Sequence, residues 1–183
     1  MKALQNEAEH KAFVELLIQE GVTSYLEIGC KFGGSVFKVG SALPTGSRIV
    51  AVDLPGGTKV WPESKRSLEG VMQILKSQGQ DTHIIWGDST DQRIINEVRS
   101  LGPFDAVLID ANHTLPFVTK DWANYGAMAR MVAFHDISWW RPADWTGSQI
   151  DVPGLWVQLR RDYRHVEFRE EPADNGIGVL WRD

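Results

Sequence analysis

Short apolar stretches that each end near an acidic residue recur along the chain, and this repetition constrains the fold more than any other feature. Five of them are predicted as β-strands: TSYLEIG, SRIVAVDL, THIIWGD, FDAVLID and RMVAFHD. The amphipathic segments between them are predicted as helices that begin near Gly33, Ser64, Thr90 and Leu115. Nearly continuous apolar strands that alternate with helices are typical of a parallel sheet covered on both faces. We therefore expect an α/β fold built on a doubly wound sheet.

Both ends of the chain extend this pattern. Residues 1–21 are predicted to contain an N-terminal helix, because apolar residues recur there at helical spacing. Near the other end, GLWVQLRRDY is predicted as a helix, and RHVEFRE and IGVLWRD as a closing hairpin. No internal repeat or Pro/Gly-rich linker divides the sequence. The sequence therefore predicts one domain over residues 1–183.

Composition disfavours several classes of partner. The net charge of -5 and the pI near 5.5 provide no basic surface for a phosphate backbone, which argues against nucleic acid. Cys30 is the only cysteine, so no cysteine-based zinc site and no intramolecular disulfide can form. The N-terminal residues lack the apolar core of a signal peptide, and no apolar run approaches the roughly 20 residues of a membrane span. We expect a cytoplasmic protein with no membrane partner.

Acids at the strand ends define the candidate site. Ligands of an open α/β sheet bind outside the carboxyl ends of its strands. Five acids occupy those positions: Glu27, Asp53, Asp88, Asp110 and Asp136. Any one of them is equally consistent with helix capping or solvation, but five on one rim indicate a binding site.

The turn after the first strand, YLEIGCKFGGS, favours a cofactor without a pyrophosphate. A dinucleotide fold uses G-x-G-x-x-G to bring backbone amides to the phosphates, and Lys31 stands here at the second glycine position. S-adenosylmethionine has no phosphate. Its amine suits the carboxylate of Glu27, while Gly29 and Gly33 let the backbone lie against the ligand.

The next two acids are assigned to the nucleoside. Asp53 is placed to accept both ribose hydroxyls, a role that dinucleotide folds share. Asp88 is open to two interpretations. It contacts the adenine, or it belongs to a polar helix start in which Ser89 and Gln92 form a capping box.

The motifs in their order resemble those of the class I S-adenosylmethionine-dependent methyltransferases: YLEIGCKFGGS, IVAVDL, IIWGDS, FDAVLIDANHT and VAFHDI. More narrowly, the chain is similar to the small O-methyltransferase-like group that includes macrocin-type sugar methyltransferases and proteins labelled cephalosporin hydroxylase. The resemblance covers nearly the whole chain from about Ser24 and implies a Rossmann-like sheet of seven strands, mostly parallel with an antiparallel last strand and helices on both faces. It also implies a methionine end lined by Glu27, Gly29 and Gly33, a ribose held by Asp53, and an adenine contacted by Asp88 and Ser89.

One segment departs from that family pattern. Cys30, Lys31 and Phe32 stand where many methyltransferases carry further small residues. This departure implies a wider loop or a weaker grip on the cofactor.

The fourth and fifth strands end in a second cluster of polar side chains. Asp110, His135 and Asp136 carry the oxygen and nitrogen donors that hold Mg²⁺ or another divalent metal, and the resemblance implies such an ion. In several members of the group that the chain resembles, the fifth strand supplies an adjacent acid pair, where this chain has His135 followed by Asp136. The alternative for His135 is a buried structural residue. His113, with Asp110, is the candidate general base.

Other residues near the site receive weaker assignments. Asp121 is predicted to be a solvated helix residue, and no function is assigned to the histidines outside the motifs, which are His10, His83 and His165. Residues 137–153 are predicted as an acceptor-side loop, in which Trp139, Trp140 and Trp145 stack on a sugar or aromatic acceptor, or else anchor the loop or a dimer surface.

The leading functional hypothesis is S-adenosylmethionine-dependent methylation of a hydroxyl on a small molecule or sugar, assisted by a divalent metal. Two alternatives stay open: an NAD-dependent oxidoreductase, and a non-catalytic methyltransferase-like binding module. The core fold leaves little chain for an acceptor pocket, so we also expect a homo-oligomer in which a second subunit completes the site.

Overall fold

A seven-stranded sheet with helices on both faces forms the centre of the molecule. The structure is a computed structural model, and it describes residues 6–55, 63–141, 149–170 and 175–182. The strands of the sheet are β1 Ser24–Ile28, β2 Arg48–Asp53, β3 Asp81–Trp86, β4 Phe104–Ile109, β5 Ala129–His135, β8 His165–Phe168 and β9 Ile177–Trp181. Two short strands, β6 Trp140–Arg141 and β7 Ile150–Asp151, pair separately. The helices are α1 Glu7–Gln19, α2 Gly34–Ala42, α3 Ser64–Ser77, α4 Gln92–Leu101, α5 Leu115–Tyr125 and α6 Val152–Leu159.

The strand order places the candidate site. Across the sheet the order is β3-β2-β1-β4-β5-β9-β8, with β1 to β5 mutually parallel and β9 antiparallel to both of its neighbours. The predicted seven-stranded sheet with an antiparallel last strand is therefore confirmed. The chain winds outward in one direction from β1 and in the other from β4. Because those two strands are neighbours, a crevice opens between their carboxyl ends.

Apolar residues of the strands point to both faces, and each face has its own core. Helices α1, α2 and α3 pack on one face, where Phe13, Val39 and Leu75 are buried. Helices α4, α5 and α6 pack on the other, where Ile94 and Trp156 are buried. Burial on both faces explains why the strands read as continuous apolar runs rather than as alternating ones.

The starts of α1 and α4 are each capped by a side chain. Asn6 caps α1 by accepting a hydrogen bond of 2.9 Å from the Ala8 N–H. The capping box that Ser89 and Gln92 were expected to form is wrong, because the N-cap of α4 is Asp91, which accepts from the Arg93 N–H at 2.8 Å. Among the described helices, none combines the length and the apolar character that crossing a membrane requires.

Candidate functional site

The turn between β1 and α2 packs tightly against the backbone that follows β4. Gly29 has a φ of +90°, and a Cβ there would lie 2.4 Å from the Asp110 carbonyl oxygen and 2.5 Å from the Ala111 Cα. Gly33, with a φ of +78°, is the N-cap residue of α2, and a Cβ there would press on the side chains of Leu68 and Val71. Only glycine combines these conformations with such close packing. Both predicted glycines therefore shape the turn.

Glu27 is almost fully enclosed where β1 meets this turn. Its side chain is buried, and its Oε2 accepts hydrogen bonds from the Tyr25 hydroxyl at 2.6 Å and the Ser35 hydroxyl at 2.9 Å. Burial raises the pKa of Glu27 to about 8, although the hydrogen bond from Tyr25 opposes the shift and the charge of Asp110 adds to it. The acid is thus held in one position, with its proton retained near neutral pH.

Asp53 ends β2 and fastens the glycine turn to that strand. Its carboxylate accepts hydrogen bonds from the backbone N–H groups of Lys31 and Leu54. Lys31 has a φ of +50°, an uncommon conformation for a residue with a side chain. Burial raises the pKa of Asp53, and the bonds from Leu54 and Lys31 work against that rise. Asp53, predicted to bind a ribose, therefore also holds the shape of the turn between β1 and α2.

The connection after β3 lies at the other end of the crevice. Asp88 is exposed, and its Oδ1 accepts from the N–H and the hydroxyl of Thr90, both at 2.8 Å. Ser89 is held by α5 from two directions. Its hydroxyl donates to Asp121 Oδ1 and its carbonyl accepts from the Tyr125 hydroxyl, both at 2.7 Å.

The prediction that Asp121 is solvated is wrong. The residue has 0% relative exposure, and burial raises its pKa to about 6, against the effect of the hydrogen bond from Ser89. The prediction failed because Asp121 directly follows the exposed residues Thr119 and Lys120 on α5, and this local pattern does not show that the next side chain is buried. Its partner, Ser89, is 32 residues away along the chain.

Asp110, His113 and Asp136 converge at the mouths of β4 and β5. His113 Nε2 lies 3.1 Å from Asp110 Oδ1 and 3.5 Å from Asp136 Oδ2. One donor atom from each of the three residues can be chosen so that all lie within 4.8 Å of one another. The cluster is mostly enclosed, with side-chain exposures of 11%, 25% and 5% for Asp110, His113 and Asp136.

His135 supports the same acids from within the sheet. Its Nδ1 lies 3.2 Å from Asp110 Oδ1 and 3.2 Å from Asp136 Oδ1, although only the first contact has hydrogen-bond geometry. The metal set predicted from the sequence was Asp110, His135 and Asp136, whereas the donor group that the structure gathers contains His113 in place of His135. Metal binding by either set stays a prediction.

The charges in this cluster reinforce one another. Burial opposes ionisation of Asp110, but the charge of His135 and the hydrogen bond from His113 outweigh it and hold the Asp110 pKa well below its usual range. Burial likewise opposes protonation of both histidines, yet the hydrogen bond and charge of Asp110 raise the pKa of His113 and that of His135. The ligand-free cluster is therefore an ionised acid held by basic imidazoles.

Two buried atoms of the cluster lack hydrogen-bond partners within the described part of the chain. They are Asp136 Oδ1 and His135 Nε2. Asp136 also has a φ of +62°, so its backbone adopts the left-handed conformation directly after β5. Unsatisfied buried atoms and unusual backbone conformations concentrate at functional sites. Both observations mark the end of β5 as a place where a ligand would complete the structure.

The acceptor-side loop is only partly described. Trp139 packs edge-on against His113, with ring centroids 5.6 Å apart and an interplanar angle of 85°. The backbone of Trp140 pairs with Asp151, while Trp145 lies outside the described residues. Stacking of these tryptophans on an acceptor stays a prediction.

Four of the five predicted acids lie along one part of the rim. Burial is the main cause of the raised pKa values of Glu27 and Asp53, and the charge of Asp110 adds to both. Asp136 joins Asp110 through their shared contact with His113. Asp88 stands apart on the exposed connection after β3. Sequence reasoning missed His10 and Ser35, which join the Glu27 hydrogen-bond network. Ser35 ends the motif YLEIGCKFGGS, but no motif contains His10, and the contact between the two residues spans 25 residues of sequence.

The fold and the crevice define a class I methyltransferase fold, and solved structures share it. An O-methyltransferase from Bacillus cereus in complex with SAH is 15% identical, with a TM-score of 0.71, and the match covers 97% of this chain and 82% of that one. The O-methyltransferase TomG from Streptomyces achromogenes, involved in tomaymycin synthesis and in complex with SAM, is 16% identical, with a TM-score of 0.65 and coverages of 98% and 82%. At these identities the likeness concerns the fold alone.

The family follows from the sequence itself. Residues 26–137 match the family model described as a methyltransferase domain, and this segment is more than half of the chain. The chain therefore belongs to that methyltransferase-domain family, as the resemblance of its motifs predicted. Among curated proteins, no sequence matches it.

Proposed function

We propose that the protein is an S-adenosylmethionine-dependent O-methyltransferase that acts on a hydroxyl of a small molecule or a sugar. The carrying observation is the convergence of Asp110, His113 and Asp136 beside the glycine turn, on the rim where this fold binds its ligands. Family membership favours methyl transfer over the NAD-dependent alternative. The SAM and SAH complexes among the structures of like fold support the choice of cofactor.

The cofactor would lie along the carboxyl ends of β1, β2 and β3. We assign the methionine amine to Glu27, the ribose hydroxyls to Asp53, and the adenine to Asp88 and Ser89. Gly29 and Gly33 support this assignment, because backbone without side chains lines the turn between these groups. Asp53 supports it further, since its carboxylate is already held in place by two backbone N–H groups.

The acceptor would lie over β4 and β5, where His113 can remove the proton of its hydroxyl. Asp110 accepts from His113 Nε2 and fixes the orientation of the ring, as a carboxylate does in other acid–imidazole pairs. The bound cofactor supplies the electrophilic methyl group on sulfur. The chain supplies alignment of the acceptor oxygen, and such positioning can contribute roughly 7 to 11 kcal/mol.

The residues present also fit a divalent cation. Two carboxylates and one imidazole are a donor set that Mg²⁺ or Mn²⁺ accepts, and Asp136 Oδ1 is a buried oxygen that receives no hydrogen bond from the described residues. Asp110, His113 and Asp136 would hold the ion, and the acceptor proton would then pass to solvent rather than to the coordinated His113. When bound, a divalent ion would lower the pKa of the acceptor hydroxyl and stabilise its oxyanion.

Calorimetry and turnover together test the proposed function. The purified protein should bind SAM and SAH but not NAD, and it should form SAH when supplied with hydroxyl-bearing acceptors such as catechols and sugars, with and without Mg²⁺. Asp110→Asn is the matched control, since it should bind SAH and fail to turn over. Binding of NAD without SAM would contradict the proposal, and binding of SAM without any turnover would favour the binding-module alternative.

A further inference from the structure

A chain of buried hydrogen bonds connects the N-terminal helix to the cofactor turn. His10 Nε2 lies 2.9 Å from Ser35 Oγ, and Ser35 Oγ donates to Glu27 Oε2 at 2.9 Å. The hydroxyl of Tyr25 donates to the same oxygen at 2.6 Å. A serine hydroxyl has one proton, and here it is given to Glu27, so Ser35 must accept from the Nε2–H of His10. With Glu27 ionised, as it would be beside a cationic amine, the direction of each bond in the network is therefore determined.

The network is fully enclosed by protein. His10 and Tyr25 have 0% relative exposure, Glu27 1% and Ser35 3%. Burial lowers the pKa of His10 to about 4, so the ring is neutral and carries the single proton that the network assigns to Nε2. Burying four polar side chains costs desolvation free energy, and a well-packed set of apolar residues is often as stable or more stable. The network is therefore better explained by a functional role than by a gain in stability.

His10 reaches this network from outside the family-matched segment. The match begins at residue 26, whereas His10 lies in α1. The neighbouring Glu9 anchors the same turn of α1 to backbone N–H groups near β8 and β9. Its carboxylate accepts from the Glu170 N–H at 2.9 Å and the Gly176 N–H at 3.2 Å. With the helix fixed to the connection between β8 and β9, His10 presents its donor to Ser35 from a rigid support.

Glu27 is left with one oxygen for a ligand. Both hydroxyls donate to Oε2, and no hydrogen bond from the described residues reaches Oε1. Two donors on one oxygen fix the plane and the rotamer of a carboxylate, and this predetermines the direction of the other oxygen. The side chain lies between the acids of β2 and β4, both of which raise its pKa.

We propose that His10 and Ser35 are positioning residues that hold Glu27 toward the amino group of the methionine moiety of S-adenosylmethionine. This inference rests on the proposed function and adds α1 to the cofactor site. The helix then affects one end of the ligand, while the nucleoside end depends on β2 and β3.

Two ligands separate these ends of the cofactor. SAH carries the amino-acid moiety, and 5′-methylthioadenosine has the same nucleoside without it. Calorimetry with both ligands is applied to the full chain and to Ser35→Ala, His10→Leu and His10→Gln. Phe13→Leu serves as the control, because Phe13 packs α1 into the same core without touching the network by a polar atom. Thermal unfolding confirms that each variant is folded at the binding temperature.

Ser35→Ala and His10→Leu should weaken SAH about tenfold and change 5′-methylthioadenosine less than twofold, because the first removes the hydrogen bond to Glu27 and the second removes the bond that orients Ser35. His10→Gln should restore SAH to within about threefold, because its amide nitrogen can take the place of Nε2. Equal losses for both ligands, or losses matched by Phe13→Leu, would overturn the inference. Failure of the wild-type chain to bind SAH would instead overturn the proposed function.

Discussion

The two sides of the crevice satisfy their acids in opposite ways. On the cofactor side, Glu27 and Asp53 accept hydrogen bonds from hydroxyl and backbone N–H groups. On the acceptor side, Asp110 and Asp136 face imidazoles, and buried atoms of His135 and Asp136 lack hydrogen-bond partners among the described residues. The cofactor side has neutral donors and a settled geometry, whereas the acceptor side has opposite charges and unmet polar atoms.

This difference between the two groups of acids shows how one rim of the sheet can serve both ligand binding and proton transfer. Hydroxyl and backbone N–H donors hold Glu27 and Asp53 in fixed orientations, which suits binding. Acid–imidazole contacts hold a proton between groups whose pKa values have been moved, which suits chemistry. Substitutions on the two sides should therefore separate affinity from turnover.

The largest effect is expected at the acceptor side. Asp110→Asn removes the charge that raises the pKa of His113 and that would hold a cation, so turnover should fall by about 10²- to 10⁴-fold. SAH affinity should change less than about threefold, since no cofactor group is assigned to this residue. Steady-state kinetics and calorimetry on the same preparation measure both. Parallel losses of turnover and SAH affinity would break the separation.

A substitution at Gly29, where the β1–α2 turn packs against the backbone after β4, should lower the free energy of unfolding. Gly29→Ala forces a positive φ on alanine and drives its Cβ into the backbone of Asp110 and Ala111, at about 3 kcal/mol. Gly21→Ala is the matched control, because Gly21 has a φ of +66° with no atom within 4 Å of the added Cβ, and it should cost about 1 kcal/mol. At about 2 to 4 °C per kcal/mol, the melting temperatures should differ by several degrees. Equal shifts would show that the contact is not tight.

Asp53→Ala tests the cofactor side. The substitution removes the assigned ribose acceptor and releases the Lys31 and Leu54 N–H groups, so SAH should bind about 10- to 100-fold more weakly. At saturating SAM, kcat should fall far less than in Asp110→Asn. Unchanged SAH affinity would remove Asp53 from the site.

Manganese binding decides between the two ligand sets. Titration followed by electron paramagnetic resonance should show His113→Ala weakening Mn²⁺ about tenfold or more, because His113 belongs to the group whose donor atoms converge. His135→Ala should have the smaller effect, since its Nδ1 faces the acids from inside the sheet. The reverse order would restore the set predicted from the sequence.

The smallest expected effect is a pH dependence of stability caused by Asp121, which lies next to Ser89. Asp121 has a folded-state pKa of about 6, raised from 3.8, so between these values the unfolded chain loses its proton while the folded chain keeps it. Stability is therefore lost as the pH rises from about 4 to about 6. Asp121→Asn cannot ionise, so its melting temperature minus that of the wild type should increase over this range and then level off. A constant difference would show that Asp121 titrates normally.

Much of the fold was predictable from local pattern. Apolar runs closed by acids marked β1 to β5, and every one of these strands is present. The end of the chain was predicted as a hairpin, and β8 and β9 do pair antiparallel. The start of α4 was less accurate, because Ser, Thr and Asp follow one another from residue 88 to 91 and each is a good cap.

The site was predictable only in part, for a reason that Asp121 and His10 illustrate. Both are polar residues on helices, and helical periodicity does not distinguish a solvated polar residue from one turned inward toward a distant serine. Their partners, Ser89 and Ser35, lie 32 and 25 residues away. His113 was predicted to be a general base but was not included in the metal set. Its position after β4 does not reveal that its ring lies close to both Asp110 and Asp136.

The sequence by itself determined the order of strands and helices, the acids at the strand ends and the glycine turn, because each depends on hydrophobic period and local backbone freedom. Only the tertiary structure decided which acids accept hydrogen bonds from hydroxyls and which acids contact imidazoles. It also decided which side chains outside the motifs support them. Those outcomes depend on contacts between β1 and β4 and between α1 and α2. Distance and burial, rather than spacing along the chain, govern the energy of such contacts.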